Sequence, residues 1–121
     1  MFKANLGTNT FDDKPIIDRT HPCVVVAGAF AAAQGILPKG LIVALDGTDT
    51  YVPYNPDATD TTKDPKGVLT EEVDTAETIV AGVVRHGTVV AENLLVGDAT
   101  TTAAASAADI SALADITIYA I

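Results

Sequence analysis

The sequence predicts an α+β fold: a small, β-rich single domain of short strands and hairpins with one or two short helices and a flexible N-terminal arm. Three observations predict it. A basic residue and a glycine precede an aliphatic or β-branched run three times, at Pro38-Lys39-Gly40-Leu41-Ile42-Val43, Pro65-Lys66-Gly67-Val68-Leu69 and Arg85-His86-Gly87-Thr88-Val89. Each reads as a glycine turn that launches a strand. Asp46-Gly47 separates two β-forming runs, a strong short-range hairpin signal. Finally, one alanine-rich stretch, Thr101–Leu113, carries a helical apolar period.

Taken in order, residues 1–22 are polar and punctuated by proline, with no sustained period of either kind. Phe2, Phe11, Ile16 and Ile17 are apolar residues there without an element to carry them. The segment reads either as a disordered tail or as an arm that orders on a partner, its isolated apolar residues serving as anchors. The domain proper then spans 23–121. Cys23-Val24-Val25-Val26-Ala27 is wholly apolar and reads as a strand buried on both faces. Gly28–Gly35 reads as a short helical turn closed by Gly35, or equally as an extended connection.

Leu41–Leu45 and Thr50–Tyr54 form the first hairpin across Asp46-Gly47, with Pro53 marking an edge strand or an early exit. Asn55–Lys66, rich in Asp, Thr and Pro, reads as a mobile polar loop. Gly67-Val68-Leu69 opens a short strand, followed by the acidic edge or turn Glu71-Glu72-Val73-Asp74. A second hairpin is expected from Thr78–Val84 and Thr88–Ala91, turning at Arg85-His86-Gly87. Asn93–Thr100 reads as a loop. In the helix, Ala103, Ala107, Ile110, Leu113 and Ala114 share one face, with Asp98 or Thr100 as cap. Ile116–Ile121 closes the chain as a strand.

The 121 residues suit one domain and carry a formal net charge of −9, with 48% hydrophobic but only 5% aromatic residues. Alanine contributes little burial per residue, which hints that partner surfaces complete the burial. Phosphate neutralisation needs clustered Lys and Arg, and the seven here are scattered, so nucleic acid and an anionic membrane are both disfavoured as partners. The longest apolar run, 23–33, is too short to span a bilayer. The N-terminus lacks a signal-peptide apolar region, and a lone Cys23 forms no intramolecular disulfide, so the expectation is a soluble protein made in the cytoplasm.

Catalytic chemistry finds few candidates. His21 and Cys23 would face the same way on an extended segment, but a structural zinc takes four ligands and the only other histidine is His86. An inert, buried Cys23 is the preferred reading. Asp46, Asp49 and Asp57–Asp60 hint at calcium, yet their order departs from the EF-hand loop, and turn chemistry accounts for Asp46-Gly47. Glu71, Glu72 and Asp74 read as a solvated edge that blocks stray strand pairing. His86 is expected to be exposed, and Ser106 and Ser111 sit on the helix without partners. The expectation is no catalytic residue, no metal and no cofactor.

The ordered motifs resemble the lambda-type head decoration proteins of tailed phages. The resemblance rests on Gly35-Ile36-Leu37-Pro38-Lys39-Gly40-Leu41-Ile42-Val43, on Pro65–Asp74, on Arg85-His86-Gly87-Thr88-Val89 with Glu92-Asn93-Leu94-Leu95, and on Leu113-Ala114-Asp115-Ile116-Thr117-Ile118. It covers residues 23–121 in order; Asn55–Asp64 and the alanine-rich helix depart from it. The resemblance implies a non-enzymatic homotrimer on the capsid exterior. It would sit at local three-fold positions after head expansion and lock neighbouring subunits of the major capsid protein. It also implies that the N-terminal segment is disordered in free protein and adds a strand to the shell, with Phe11, Pro15, Ile16 and Ile17 as the candidate capsid-binding residues. Two rival readings are a small metal-dependent enzyme or binder centred on His21, Cys23 and the acidic loops, and a tail or fibre component of the virion.

Overall fold

The organising element is a single eleven-residue strand where the sequence suggested a hairpin. The computed structural model describes residues 16, 23–47, 49–76 and 79–121, so most of the expected arm lies outside the described residues. In chain order the elements are β1 (Val24–Phe30), β2 (Ile36–Leu37), β3 (Ile42–Leu45), β4 (Tyr51–Pro53), β5 (Gly67–Leu69), β6 (Val73–Asp74), β7 (Ile79–Val89), β8 (Leu95–Gly97), β9 (Thr102–Ala104), α1 (Ala107–Ala114) and β10 (Ile118–Ala120). Single 3₁₀ turns occupy Thr61–Lys63 and Ala91–Asn93. The fold is a β-rich α+β domain, as the sequence predicts.

β7 runs straight through Arg85-His86-Gly87 because those residues form a bulge. Val24 pairs with His86 and Val25 with Val84, so β7 advances two residues where β1 advances one, and Arg85 is the extra residue. Gly87, at φ +125°, then carries the strand from pairing with β1 to parallel pairing with β10, where Ile118 stands opposite it. A turn and a bulge both call for a glycine, which is why the sequence reads as a hairpin here.

The strands close on themselves in the order β1-β4-β3-β5-β7, with β7 pairing back to β1 and β10 attached to β7. β4 meets β1 only through Phe30 and Tyr51, in agreement with an early exit at Pro53. The β3–β4 hairpin forms as expected. Its turn is closed by the Asp46 N–H to the Thr50 carbonyl at 3.0 Å, and positive φ falls on Gly47 and Asp49.

Because side chains alternate along a strand, β3, β5 and β7 each feed two cores. Leu41, Val43, Leu69, Ala81 and Val83 join Phe30, Leu37, Tyr51 and Val73 inside the ring. Ile42, Ala44, Val68 and Val84 point the other way, to Tyr54, Val89, Leu94, Leu113 and Ile118. The second core is roofed by α1 and β10.

Other expectations need correction. β1 is not buried on both faces: Val24 and Val25 are 51% and 46% exposed. Gly28–Phe30 continues β1 rather than starting a helical turn. Asn93–Thr100 holds β8, which pairs with β9. That pairing takes Thr102–Ala104 out of the expected helix, so α1 begins only after Ser106 and Ala103 lies exposed in a strand. Ser106 caps α1 through a reciprocal pair with Asp109: its hydroxyl accepts the Asp109 N–H, and the Asp109 carboxylate accepts the Ser106 N–H. Asp98 instead closes the β8–β9 turn by accepting from the N–H groups of Thr100 and Thr101. The Asn55–Lys66 loop is tied down by Asn55 N–H to the Thr62 carbonyl and by the Thr61 hydroxyl to the Leu45 carbonyl.

Candidate functional site

The root of the N-terminal segment is built into the domain. Ile16 is 5% exposed in the core under α1, and its carbonyl accepts the Val90 N–H at 2.9 Å, just beyond β7. Gly40, at φ +89°, leaves room for it: a Cβ there would stand 3.1 Å from Ile16 Cδ1 and would collide with the Asn93 carbonyl. Of the four candidate capsid-binding residues, Ile16 therefore fills a pocket of its own domain in this structure. Phe11, Pro15 and Ile17 lie outside the described residues.

The residues weighed for chemistry are dispersed. Cys23 is half-buried, with its thiol directed to the Thr88 carbonyl at 3.5 Å. His86 is exposed, and its Nδ1 lies 2.7 Å from the Thr117 hydroxyl. His21 lies outside the described residues. Among the described residues no three His, Cys, Asp or Glu side chains gather where they could hold a metal ion. Asp46 binds the Thr50 hydroxyl and Asp60 caps the 3₁₀ turn at Thr62, so both carboxylates shape turns. Hydrogen bonds from the Thr62 hydroxyl and N–H hold the Asp60 carboxyl below its usual range. The N–H groups of Thr101 and Thr100 do the same for Asp98. Among the described residues no helix is long and apolar enough to cross a membrane.

Two polar residues matter that the sequence survey passed over. Thr75, fully buried, donates its hydroxyl to the Gly35 carbonyl at 2.6 Å and accepts the Gln34 N–H at 2.8 Å, fixing the link from β1 to β2. Asp109, also buried, accepts the Tyr54 hydroxyl at 3.2 Å while capping α1, so one carboxylate joins the helix to the end of β4. Only the S-x-x-D spacing of Ser106 and Asp109 signalled the second in the sequence.

What the described surface does offer is apolar area. Val24, Val25, Ile36, Ile79, Val80, Tyr119 and Ile121 are all at least 40% exposed. An exposed apolar surface with no assembled catalytic group suits a protein that works by contact.

A search of curated proteins found no match. Comparison with protein-family models matched residues 19–118 to the bacteriophage lambda head decoration protein D family. That span begins three residues after the buried Ile16 and includes every element from β1 to the start of β10. Matched over most of its length, the chain belongs to the bacteriophage lambda head decoration protein D family, structural proteins of the phage capsid.

Proposed function

We propose that the protein binds the exterior of the expanded phage head as a homotrimer at local three-fold positions and stabilises the shell, without catalysis, by adding its N-terminal arm as a strand to the major capsid protein. The observation that carries this reading is the family membership across residues 19–118. The anchoring of Ile16 supports a particular division of labour within the segment. With Ile16 held by its side chain and by the Val90 N–H, the chain ahead of it starts from a fixed point. Phe11 and Pro15 precede that point, and Ile17 follows it directly.

Main-chain pairing supplies affinity without a demanding side-chain chemistry. Three arms on one trimer multiply a modest single-arm affinity, because the second and third engage at high effective concentration. Contacts available only on the assembled, expanded shell stabilise that state by mass action. The net charge of −9 disfavours contact with packaged nucleic acid, which suits an exterior position.

Deleting residues 1–14 tests the proposal, because it spares Ile16. The truncated protein should keep its oligomeric state and lose binding to expanded heads in a co-sedimentation assay. Undiminished binding would refute the arm mechanism. Light scattering on the full chain tests the trimer separately.

A further inference from the structure

We infer that the outer face of β1 and the first half of β7 is the surface on which a second copy of this chain docks. The inference rests on the homotrimer reading and assigns it a surface. In the β1–β7 ladder Ala29 stands opposite Val80, Ala27 opposite Gly82 and Val25 opposite Val84, so these six residues share one side of the sheet. The other side, with Gly28, Phe30, Ala81 and Val83, faces the inside of the ring.

That shared side begins as core and ends as surface. Val84 is fully buried under the cluster formed by Val68, Leu113 and Ile118. Two residues back, Gly82 is only partly covered; two further back, Val80 is 59% exposed, and Val25 is 46% exposed. The apolar face therefore continues past the edge of the layer that roofs it. An antiparallel sheet with one solvated face normally alternates apolar and polar residues. Here both faces are apolar, and Val25, Ala27, Ala29, Val80 and Gly82 carry no charge.

Charge decides in favour of a second copy. Each copy carries −9, so two copies meet favourably only where acidic groups are absent. Interface centres are depleted in charged residues in general. On this face the nearest acid, Glu71, lies beside the Gly82 backbone and accepts its N–H at 3.3 Å, at the rim of the patch. Val25 and Val80 flank a floor of Ala27, Ala29 and Gly82, a shallow trough for an apolar side chain of the neighbour. A three-fold ring repeats one heterologous contact three times, so a single substitution acts on all three.

The test is light scattering coupled to size exclusion on the full chain and on Val80→Asp, Val25→Asp and Val80→Ser, with circular dichroism as the check on folding. Thr59→Asp, which adds the same charge on the exposed 55–66 loop, serves as control. The expected result is a trimeric wild type and control, and aspartate variants that are folded but dissociate with a dissociation constant raised about 100-fold or more. Val80→Ser, which adds no charge, should weaken the trimer by about 10-fold and keeps the test valid if an aspartate variant fails to fold. Raising salt to about 0.5 M should leave the wild-type trimer intact or strengthen it, since screening removes repulsion between acidic copies. A trimeric wild type with equally trimeric, folded variants overturns the assigned face and leaves the homotrimer reading standing. A monomeric wild type overturns both. Variants that remain trimeric yet no longer bind heads would give the face to the shell, which also overturns the inference.

Discussion

Gly87 lies against Cys23 so closely that a Cβ added to the glycine would stand 2.6 Å from the Cys23 sulfur and 2.9 Å from its Cα. The contact occurs where β7 leaves β1 and takes up β10. Gly87→Ala should therefore cost about 2–4 kcal/mol, the sum of strain at φ +125° and overpacking. Cys23→Ala alone should cost about 1 kcal/mol, because it removes one half-buried sulfur and a weak thiol hydrogen bond. It should leave head binding as in wild type. Combining the two should recover little of the glycine's loss, since the Cys23 backbone remains in the way. Denaturant titrations of the four proteins check this, and full recovery in the double variant would show that only the sulfur matters.

The Tyr54–Asp109 hydrogen bond predicts an alkaline limit to stability. Burial, and then the neighbouring Asp109 carboxylate, push the Tyr54 hydroxyl up to about 12 from its ordinary 10.0. The folded state thus holds a proton that the unfolded chain releases earlier. This stabilisation is complete below about pH 10 and is lost as the pH rises towards about 12. Tyr54→Phe should lower stability at neutral pH by about 1 kcal/mol and flatten the fall between those limits. Stability measured against pH for both proteins provides the comparison; parallel alkaline slopes would rule out Tyr54 as the source.

The strand order was legible where local chemistry and tertiary use agree. Asp46-Gly47 makes a hairpin in any context, and Gly67-Val68-Leu69 and Ile116–Ile121 are short runs with β-forming side chains. Arg85-His86-Gly87 misled because a glycine with positive φ serves a bulge as well as a turn, and only the register against β1 separates them. Thr102–Ala104 misled for a different reason. Its alanines favour helix locally, but pairing with Leu95–Gly97 and the cap at Ser106 override that preference. The apolar stretch of β1 was read as doubly buried because the sequence does not say how far the roof over the sheet extends. Ile16 was invisible as a core residue, since its contacts with Gly40 and Val90 come from positions more than twenty residues away.

That contact sets the boundary for truncation. Ile16→Ala should destabilise the domain by about 2–4 kcal/mol, as expected for emptying a buried isoleucine site. Deleting residues 1–14 should change stability by less than about 1 kcal/mol, because the buried anchor remains. A deletion reaching Ile17 would combine both effects and could not distinguish lost shell contact from a weakened fold. Thermal or denaturant unfolding of the two variants, read beside head binding, separates them. Equal losses of stability in both would mean that residues ahead of the anchor also support the domain.

The link between β1 and β2 supplies the last prediction. Thr75 is wholly buried, and its hydroxyl both donates to the Gly35 carbonyl and accepts the Gln34 N–H. Its backbone adds two more bonds, with its N–H donating to the Gly35 carbonyl and its own carbonyl accepting the Ala33 N–H. Thr75→Val preserves size and β preference while removing the hydroxyl, so the Gln34 N–H loses its partner. The expected cost is about 1–3 kcal/mol. Thr75→Ser keeps the hydroxyl and should lose only the packing of one methyl group, about 1 kcal/mol. Amide hydrogen exchange supplies a local reading: protection at Gln34 should fall in Thr75→Val and persist in Thr75→Ser. If both variants lost it equally, the methyl packing rather than the hydroxyl would be holding the link in place.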